Sequence, residues 1–466
     1  MTRCEEFLSD AVEIKALPGK GRGLVARRPV EMGELLFVSR AFTAALMTNI
    51  VQGTARTLRQ AGASHRRAFL SLHDGSSPGD VCVSWFRPGA KLPAAEEKQV
   101  PAHVDNERIK RVVRLNGHVV TNMMKDGVLC GSDSAPAMDG GDAELCGLWL
   151  LPAFLNHDCC PSVVCVPLDQ ETLACVACTS LDAGDELTDS YINLLQGCAD
   201  RQAELKEQKG FDCCCRRCAS EASELPAEVA AAVLQSMQDA YSVDDADEFL
   251  RRTEDIRRRV AAALLTIASS PDLRHMFRAS LLVADIAAAM VYESPQCSLP
   301  DRKALCAEAS WEVCQAVEQV SPLSAQHLHF AEKRYQNSAL GSSRKDAFTY
   351  FFVVWLVRRA AIESILVGGP RVGQLRHLPP SDCRRLVQVF AKAQGLSMKC
   401  LDISNLEGQC SGGVEDLLEA AGVRHFGAAA KLLEFRSRPT ATSTSQECRP
   451  ETSGELDEYV ILDEMD

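Results

Sequence analysis

The sequence predicts an α+β protein, with small sheets of short strands in its first part and an all-α, repeat-like region after them. Three observations carry this. Short apolar runs alternate with Gly and Pro to about Arg40 and strand-like runs return at Ser162–Pro167 and Thr172–Thr179, a strand signature. Beyond Cys218, apolar residues recur at three- and four-residue spacing over long stretches, the signature of amphipathic helices. Between the two lies Cys213-Cys214-Cys215-Arg216-Arg217-Cys218, a thiol cluster suited to holding a metal.

The first elements are Val12-Glu13-Ile14 and Gly23-Leu24-Val25-Ala26, read as strands on either side of a glycine turn. Glu34–Val38 follows as another, after a turn at Glu31-Met32-Gly33. Residues 41–110 change character to Ala, Arg and Gln and read as a partly helical insertion with a loop near Pro78-Gly79-Asp80. Residues 130–143 are rich in Gly, Asp, Ser and Ala and are expected to be a mobile loop. Ser162–Pro167 and Thr172–Thr179 read as a hairpin around Leu168–Glu171. The periodicity then predicts helices over Glu228–Tyr241, Ala246–Ile267, Leu273–Val291, Lys303–Val320, Ala325–Leu340 and Ala347–Leu366. Pro226, Pro271, Pro300 and Pro322 stand at or near their starts, where proline is tolerated. From about Arg436 the chain is rich in Ser, Thr, Pro and Glu and is expected to be disordered.

Composition narrows the function. The 466 residues are 46% hydrophobic, enough for two or three cores. A net charge of −13 excludes a protein that coats nucleic acid by charge alone. Residues 451–466 hold seven of the acids and no Lys or Arg, which leaves −6 for the rest. Arg257-Arg258-Arg259 is short and within a helix, so it reads as a solvated face rather than a nucleic-acid patch. The opening Met1-Thr2-Arg3-Cys4-Glu5-Glu6 lacks a basic start before an apolar run, so no secretory signal is expected. Phe348–Val357 is about half a bilayer span before Arg358 and Arg359 interrupt it. The 21 cysteines therefore read as thiols and a metal site of a cytosolic or nuclear protein, without membrane contact.

Four stretches carry chemistry. Cys213, Cys215 and Cys218 form C-x-C-x-x-C, three sulfurs in one turn. A structural zinc takes four tetrahedral ligands, so a fourth comes from elsewhere in the chain. Lys20-Gly21-Arg22-Gly23 lets backbone pass close to a ligand. A lone G-x-G is an ordinary tight turn, and no helix follows it, which excludes a dinucleotide-binding βαβ unit. Asn156-His157 ends the apolar run Leu148–Leu155, and such a polar pair needs partners if buried. Tyr191 closes Gly-Asp-Glu-Leu-Thr-Asp-Ser-Tyr, where a strand-end tyrosine usually packs with its hydroxyl bonded.

Taken in this order, the stretches resemble the SET-domain protein methyltransferases. Asn156-His157-Asp158-Cys159 is similar to the family's Asn-His-Ser-Cys-x-Pro-Asn, and Gly184–Tyr191 to its Gly-Glu-Glu-Leu-Thr-x-x-Tyr. The resemblance implies S-adenosylmethionine bound by Lys20, Gly21, Arg22, Gly23, Asn156, His157 and Tyr191. It also makes Tyr191 the catalytic tyrosine, and makes Cys159 the fourth ligand, with Cys213, Cys215 and Cys218, of a Zn2+ ion. Cys160 and Cys214 are then bystanders, and Phe211 a wall of the lysine channel or an adenine contact. Asn116-Gly117-His118-Val119-Val120-Thr121-Asn122 resembles a cofactor-contacting stretch of the SET-and-MYND subfamily, which adds Asn116. That subfamily ends in a tetratricopeptide-like helical domain. Its zinc finger is missing here, because residues 41–110 contain a single cysteine, Cys82.

The expected organisation is a SET domain over 10–200, a zinc-bound post-SET segment over 201–220, a helical domain over 221–435 and an acidic tail over 436–466. The implied activity is methyl transfer to lysines of a protein substrate, histone or otherwise, with no sequence-specific nucleic-acid binding. Asp158 and Ser162 depart from the motif, and they motivate the alternative of an inactive SET-fold interaction scaffold. In the tail, Tyr459-Val460-Ile461-Leu462 among acids could add as a strand to a partner's sheet edge, though a solvated tail end is the simpler reading.

Overall fold

The computed structural model describes residues 6–75, 81, 83–86, 91, 93–119, 124–125, 128–129, 145–243, 245–294, 297–339, 341–366, 380–397 and 401–409. The expected loop at 130–143, Cys82 and the tail from 436 lie outside these residues.

In chain order the strands are β1 (Phe7–Leu8), β2 (Val12–Leu17), β3 (Gly21–Ala26), β4 (Leu35–Arg40), β5 (Thr43–Leu46), β6 (His118–Val119), β7 (Met124–Lys125), β8 (Val128–Leu129), β9 (Leu145–Leu148), β10 (Asn156–His157), β11 (Val163–Pro167), β12 (Thr172–Ala177) and β13 (Glu186–Asp189). They form sheets in the orders β1-β4-β12-β11, β10-β13-β3-β2 and β5-β9-β6, with β7-β8 as a separate pair. All six residues of β12 are buried, as a central strand requires. Its register opposite β11, Val163 to Ala177 through Pro167 to Leu173, is the predicted hairpin. The insertion is not wholly helical, because β5 within it pairs with β9.

The helices are α1 (Ile50–Gln60), α2 (Ala63–Leu70), α3 (Ala94–Glu97), α4 (Asn106–Asn116), α5 (Cys198–Lys209), α6 (Arg216–Glu224), α7 (Ala227–Tyr241), α8 (Ala246–Ile267), α9 (Pro271–Arg278), α10 (Val283–Glu293), α11 (Arg302–Val320), α12 (Ala325–Asn337), α13 (Ser342–Leu366), α14 (Pro380–Ala393) and α15 (Leu401–Gln409). Helices α10 to α13 pack each on the next. The centre of α13, Phe348 to Val357, is buried on every side, which explains why it is apolar all round. No single described helix is long and apolar enough to cross a membrane.

One predicted helix is two. Leu273–Val291 breaks between α9 and α10, which meet at 73°. Apolar spacing continues through the break and hides it. Ser280 sits in the turn, its amide donating to Phe277 O at 3.0 Å, and its hydroxyl is drawn into a buried ionic network described below.

The helical core contains a polar relay. Tyr350 donates its hydroxyl proton to Glu318 Oε2 at 2.7 Å, and His327 Nε2 lies 2.7 Å from the same oxygen of Tyr350. His327 Nδ1 accepts from the Leu323 amide at 3.1 Å, so Nε2 carries the ring proton. Among the described residues, Glu318 Oε1 has no hydrogen-bond partner. Burial pushes the Glu318 carboxyl up from 4.5 to about 7. A carboxyl raised on folding adds stability that is complete below about 4.5 and lost as the pH rises through 7. His118 and His157, lowered by burial from 6.5 to about 4, act with the opposite sign and cost stability as the pH falls through that window. Comparing Glu318→Gln with wild type isolates the carboxyl. The variant's unfolding free energy, from urea denaturation, is expected to match wild type near pH 4.5 and exceed it at pH 8 by a margin on the order of 3 kcal/mol. Parallel pH profiles would refute the assignment.

Candidate active site

Two residues of β10 align the site. Asn156 and His157 pair in parallel with Thr188 and Asp189 of β13, and the Asp158 amide donates to Asp189 O at 3.0 Å. The segment that ends the apolar run thereby lies against the strand that leads to Tyr191. His157 is buried, and its Nδ1 accepts the Tyr191 amide at 3.1 Å. Its Nε2 lies 3.3 Å from Cys159 Sγ. With its pKa lowered to about 4, chiefly by burial, the ring is neutral, and the amide bond at Nδ1 assigns the proton to Nε2. Both ring nitrogens are occupied inside the protein, so a further hydrogen bond to this residue would fall to its backbone.

Tyr191 donates its hydroxyl to Leu155 O at 2.7 Å. Burial, with Asp189 and Glu186 nearby, raises its pKa, so it stays a neutral phenol. Asp189 is itself raised to about 6 by burial. The His157 ring neighbours both Tyr191 and Phe211, at 5.5 and 6.2 Å between centroids.

The glycine stretch crosses the same face. Gly21 has φ +75°, a left-handed conformation that favours glycine. At Gly23 a Cβ would lie 2.5 Å from Leu17 Cδ1 and 2.7 Å from Asn156 Nδ2, so only glycine lets Asn156 seat against β3. Asn156 Nδ2 donates to Arg22 O at 3.1 Å and to Glu186 Oε1 at 2.8 Å. Lys20 pairs with Glu186 at 2.6 Å and also feels Asp158. The Arg22 guanidinium stacks over Phe154 at 5.3 Å and donates to Ser71 O. Opposite charges on one rim suit a ligand that carries both signs. Asn116, at the end of α4, is buried and donates its amide to His73 O and Val112 O, both at 2.7 Å.

The departures from the motif have structural work. Asp158 Oδ1 accepts the Cys160 amide at 2.7 Å and closes the turn that aims Cys159 inward. Ser162 Oγ accepts the Thr188 amide at 2.9 Å and donates to Glu186 O at 3.2 Å.

Cys159, Cys213, Cys215 and Cys218 converge, with their sulfurs all within 4.8 Å of one another. Cys159 Sγ lies 3.6 Å from Cys218 Sγ and 4.0 Å from Cys213 Sγ. A tetrahedral zinc with bonds of about 2.3 Å has ligand edges of roughly 3.8 Å, so these sulfurs fit the ion.

Sequence reasoning missed what surrounds the sulfurs. Arg201 and Arg217 are fully buried and share Glu221, at 2.9 and 2.7 Å. Ser280 donates to Glu221 Oε1 and accepts from both arginines. Arg201 Nη2 reaches Cys218 Sγ at 3.7 Å, and Arg217 Nη1 donates to Cys159 O at 3.2 Å. Nothing in the sequence of α5 and α6 sets these charged residues apart from solvated ones, and their burial depends on distant partners.

The SET domain profile matches residues 21–192. Over 299 residues the chain is 35% identical to N-lysine methyltransferase SMYD2 of Mus musculus, covering 52% of this chain and 67% of that protein. This chain belongs to the SET-domain family, in its SET-and-MYND-like group. It is 28% identical over 297 residues to N-lysine methyltransferase SMYD2-B of Xenopus laevis, covering 52% of this chain and 68% of that one. A SET and MYND domain-containing protein of Dictyostelium discoideum is 38% identical over 72 residues, 16% of this chain and 21% of its own length. The chain thus spans about two thirds of the two methyltransferases and about a fifth of the Dictyostelium protein.

Removing Glu221 would leave two buried guanidinium groups without their carboxylate. Glu221→Ala is expected to destabilise by about 3–5 kcal/mol. Glu248→Ala, which faces Arg251 and Arg252 at the surface, should cost far less, because water and salt already screen that pair. Urea denaturation followed by circular dichroism compares them, and equal losses would contradict a buried network.

Proposed function

We propose that this protein transfers methyl groups from S-adenosylmethionine to lysine side chains of protein substrates. The observation that carries the reading is the junction of Asn156-His157 with Tyr191, which places a neutral phenol beside a rim of mixed charge. S-adenosylmethionine, when bound, supplies a methyl group on a positively charged sulfur. Gly21, Gly23, Asn156 and the backbone of His157 would hold it, with Lys20, Arg22, Asn116 and Phe211 around them. Tyr191 directs its hydroxyl proton at Leu155 O, which would leave the hydroxyl lone pairs free for an incoming amine. There they accept an amine N–H and fix the line of attack. Aromatic walls keep the amine dry and favour its neutral form.

A zinc ion on Cys159, Cys213, Cys215 and Cys218 would fix the post-SET segment, residues 201–220, over residues 10–200. The helices described beyond residue 221 would belong to a tetratricopeptide-like domain, expected over 221–435, that restricts which proteins reach the site, a reading supported by the consecutive packing of α10 to α13. The acidic tail from 436, histone or non-histone acceptors, and a cytosolic or nuclear location complete it; the abundance of thiols favours a reducing compartment. An inactive scaffold is the second reading, motivated by Asp158 and Ser162. Their backbone roles weigh against it.

Calorimetry with S-adenosylmethionine and S-adenosylhomocysteine tests the reading. Saturable binding is expected, and Tyr191→Phe should retain it while methyl transfer to an acid-extracted protein mixture falls at least about a hundredfold. Absence of cofactor binding would leave the scaffold. Elemental analysis should find about one zinc per chain. Removing it with a chelator should lower the thermal midpoint and loosen protease resistance around residues 198–224. A chelator without effect on either would argue against a structural ion.

A further inference from the structure

Lys209 lies in the last turn of α5, just before Phe211 and the cysteine cluster. One turn earlier, Lys206 points to solvent and pairs with Asp212 at 3.1 Å. Lys209 instead turns inward. Its Nζ stands 5.2 Å from the centroid of the Tyr191 ring and donates to Leu115 O at 3.2 Å, beside Asn116. Among the described residues no carboxylate pairs with it. Burial, aided by Arg114 against an opposing effect of Cys146, lowers its pKa from 10.5 and enlarges the neutral fraction that a nucleophilic amine needs.

A structural role is also open to this lysine, since a cation suits the carbonyl end of α4. That role does not require the amine to sit over the face of the tyrosine assigned to catalysis. An amine already delivered to that ring by its own chain avoids the entropy of bringing in a second molecule.

We propose that Lys209 is a methyl acceptor in cis, so that the protein methylates its own post-SET lysine. The proposal rests on the methyltransferase reading above. The ammonium first loses a proton to water. The Nζ lone pair then forms a bond to the sulfonium methyl carbon, the carbon–sulfur bond breaks, and its electron pair stays on sulfur as the thioether of S-adenosylhomocysteine. The product is a methylated, still cationic lysine. The added methyl lies beside the Tyr191 ring and keeps the cation–aromatic contact.

The test uses the full chain, zinc-replete, incubated with S-adenosylmethionine with and without an acid-extracted protein mixture, and mapped by mass spectrometry after glutamyl-endopeptidase digestion. The expected result is a methyl on Lys209 whose initial rate per chain is unchanged when protein concentration varies about tenfold, as an intramolecular step requires. Lys209→Arg, which keeps the charge and the reach to Leu115 O, should remove that methyl. Tyr191→Phe should slow its appearance, and Lys206→Arg should leave it intact. Methyl on other lysines or on the mixture, with Lys209 unmodified in folded protein, would overturn the proposal and leave the methyltransferase reading standing. A Lys209 rate that scales with protein concentration would overturn the intramolecular step. Cofactor bound with no methyl transferred anywhere would overturn both readings.

Discussion

The constraint on which the rest of the molecule depends is the burial of charge at the seam between the sheets and the helices. Arg201 and Arg217 are wholly excluded from water and have one carboxylate, Glu221, between them. Two guanidinium groups against one carboxylate leave an excess positive charge, which a low-dielectric interior does not tolerate unless compensated. Compensation stands alongside, because Arg201 reaches Cys218 and a thiolate centre is anionic. With the proposed zinc, four thiolates around a dication carry a net −2. Cluster and ion network therefore stabilise one another, and each is costly alone. Ser280 ties this charge to the break between α9 and α10, so the helical region is fastened to the site by hydrogen bonds as well as by apolar packing.

His157 carries that constraint to the chemistry. Its Nε2 faces a sulfur of the cluster, and its Nδ1 accepts the amide of Tyr191. A neutral imidazole has one donor and one acceptor, and both are used in the one tautomer that satisfies the two neighbours. A histidine protonated at both nitrogens would have no acceptor for the Tyr191 amide. The depressed pKa is thus part of how the tyrosine backbone is held, and the cluster fixes the tyrosine through two bonds rather than by contact.

Much of the site was legible because its parts are contiguous in sequence. Gly21 and Gly23, Asn156-His157, Tyr191 and the three clustered cysteines are each fixed by local geometry that leaves a spacing behind. Strands such as β12 and helices such as α8 were readable for the same reason, since their apolar periodicity is local. The rest depends on partners far away in the chain. Arg201, Glu221 and Lys209 belong to segments whose composition is that of a solvated helix, and only tertiary neighbours decide that the first two are buried and the third turns inward. The break at Ser280 escaped for a related reason. Apolar spacing runs through it, and a hydroxyl 59 residues from Glu221 is what holds the bend.

Asp158 and Ser162 show how a departure from a motif is judged by what its atoms touch. In sequence they are a charge and a small hydroxyl at positions where other residues are usual, which suggests damage to a binding site. In the fold, the Asp158 carboxylate accepts the amide two residues ahead, as a turn-forming side chain does. Ser162 bonds to Thr188 and Glu186 on the strand that leads to Tyr191. Both substitutions act on the backbone between Asn156 and the cluster. They brace the pairing of β10 with β13, and a parallel ladder of only two residue pairs would have little else to hold its register. Residues that support the pairing preserve the geometry on which Tyr191 depends, so their presence favours a working site over a relic of one.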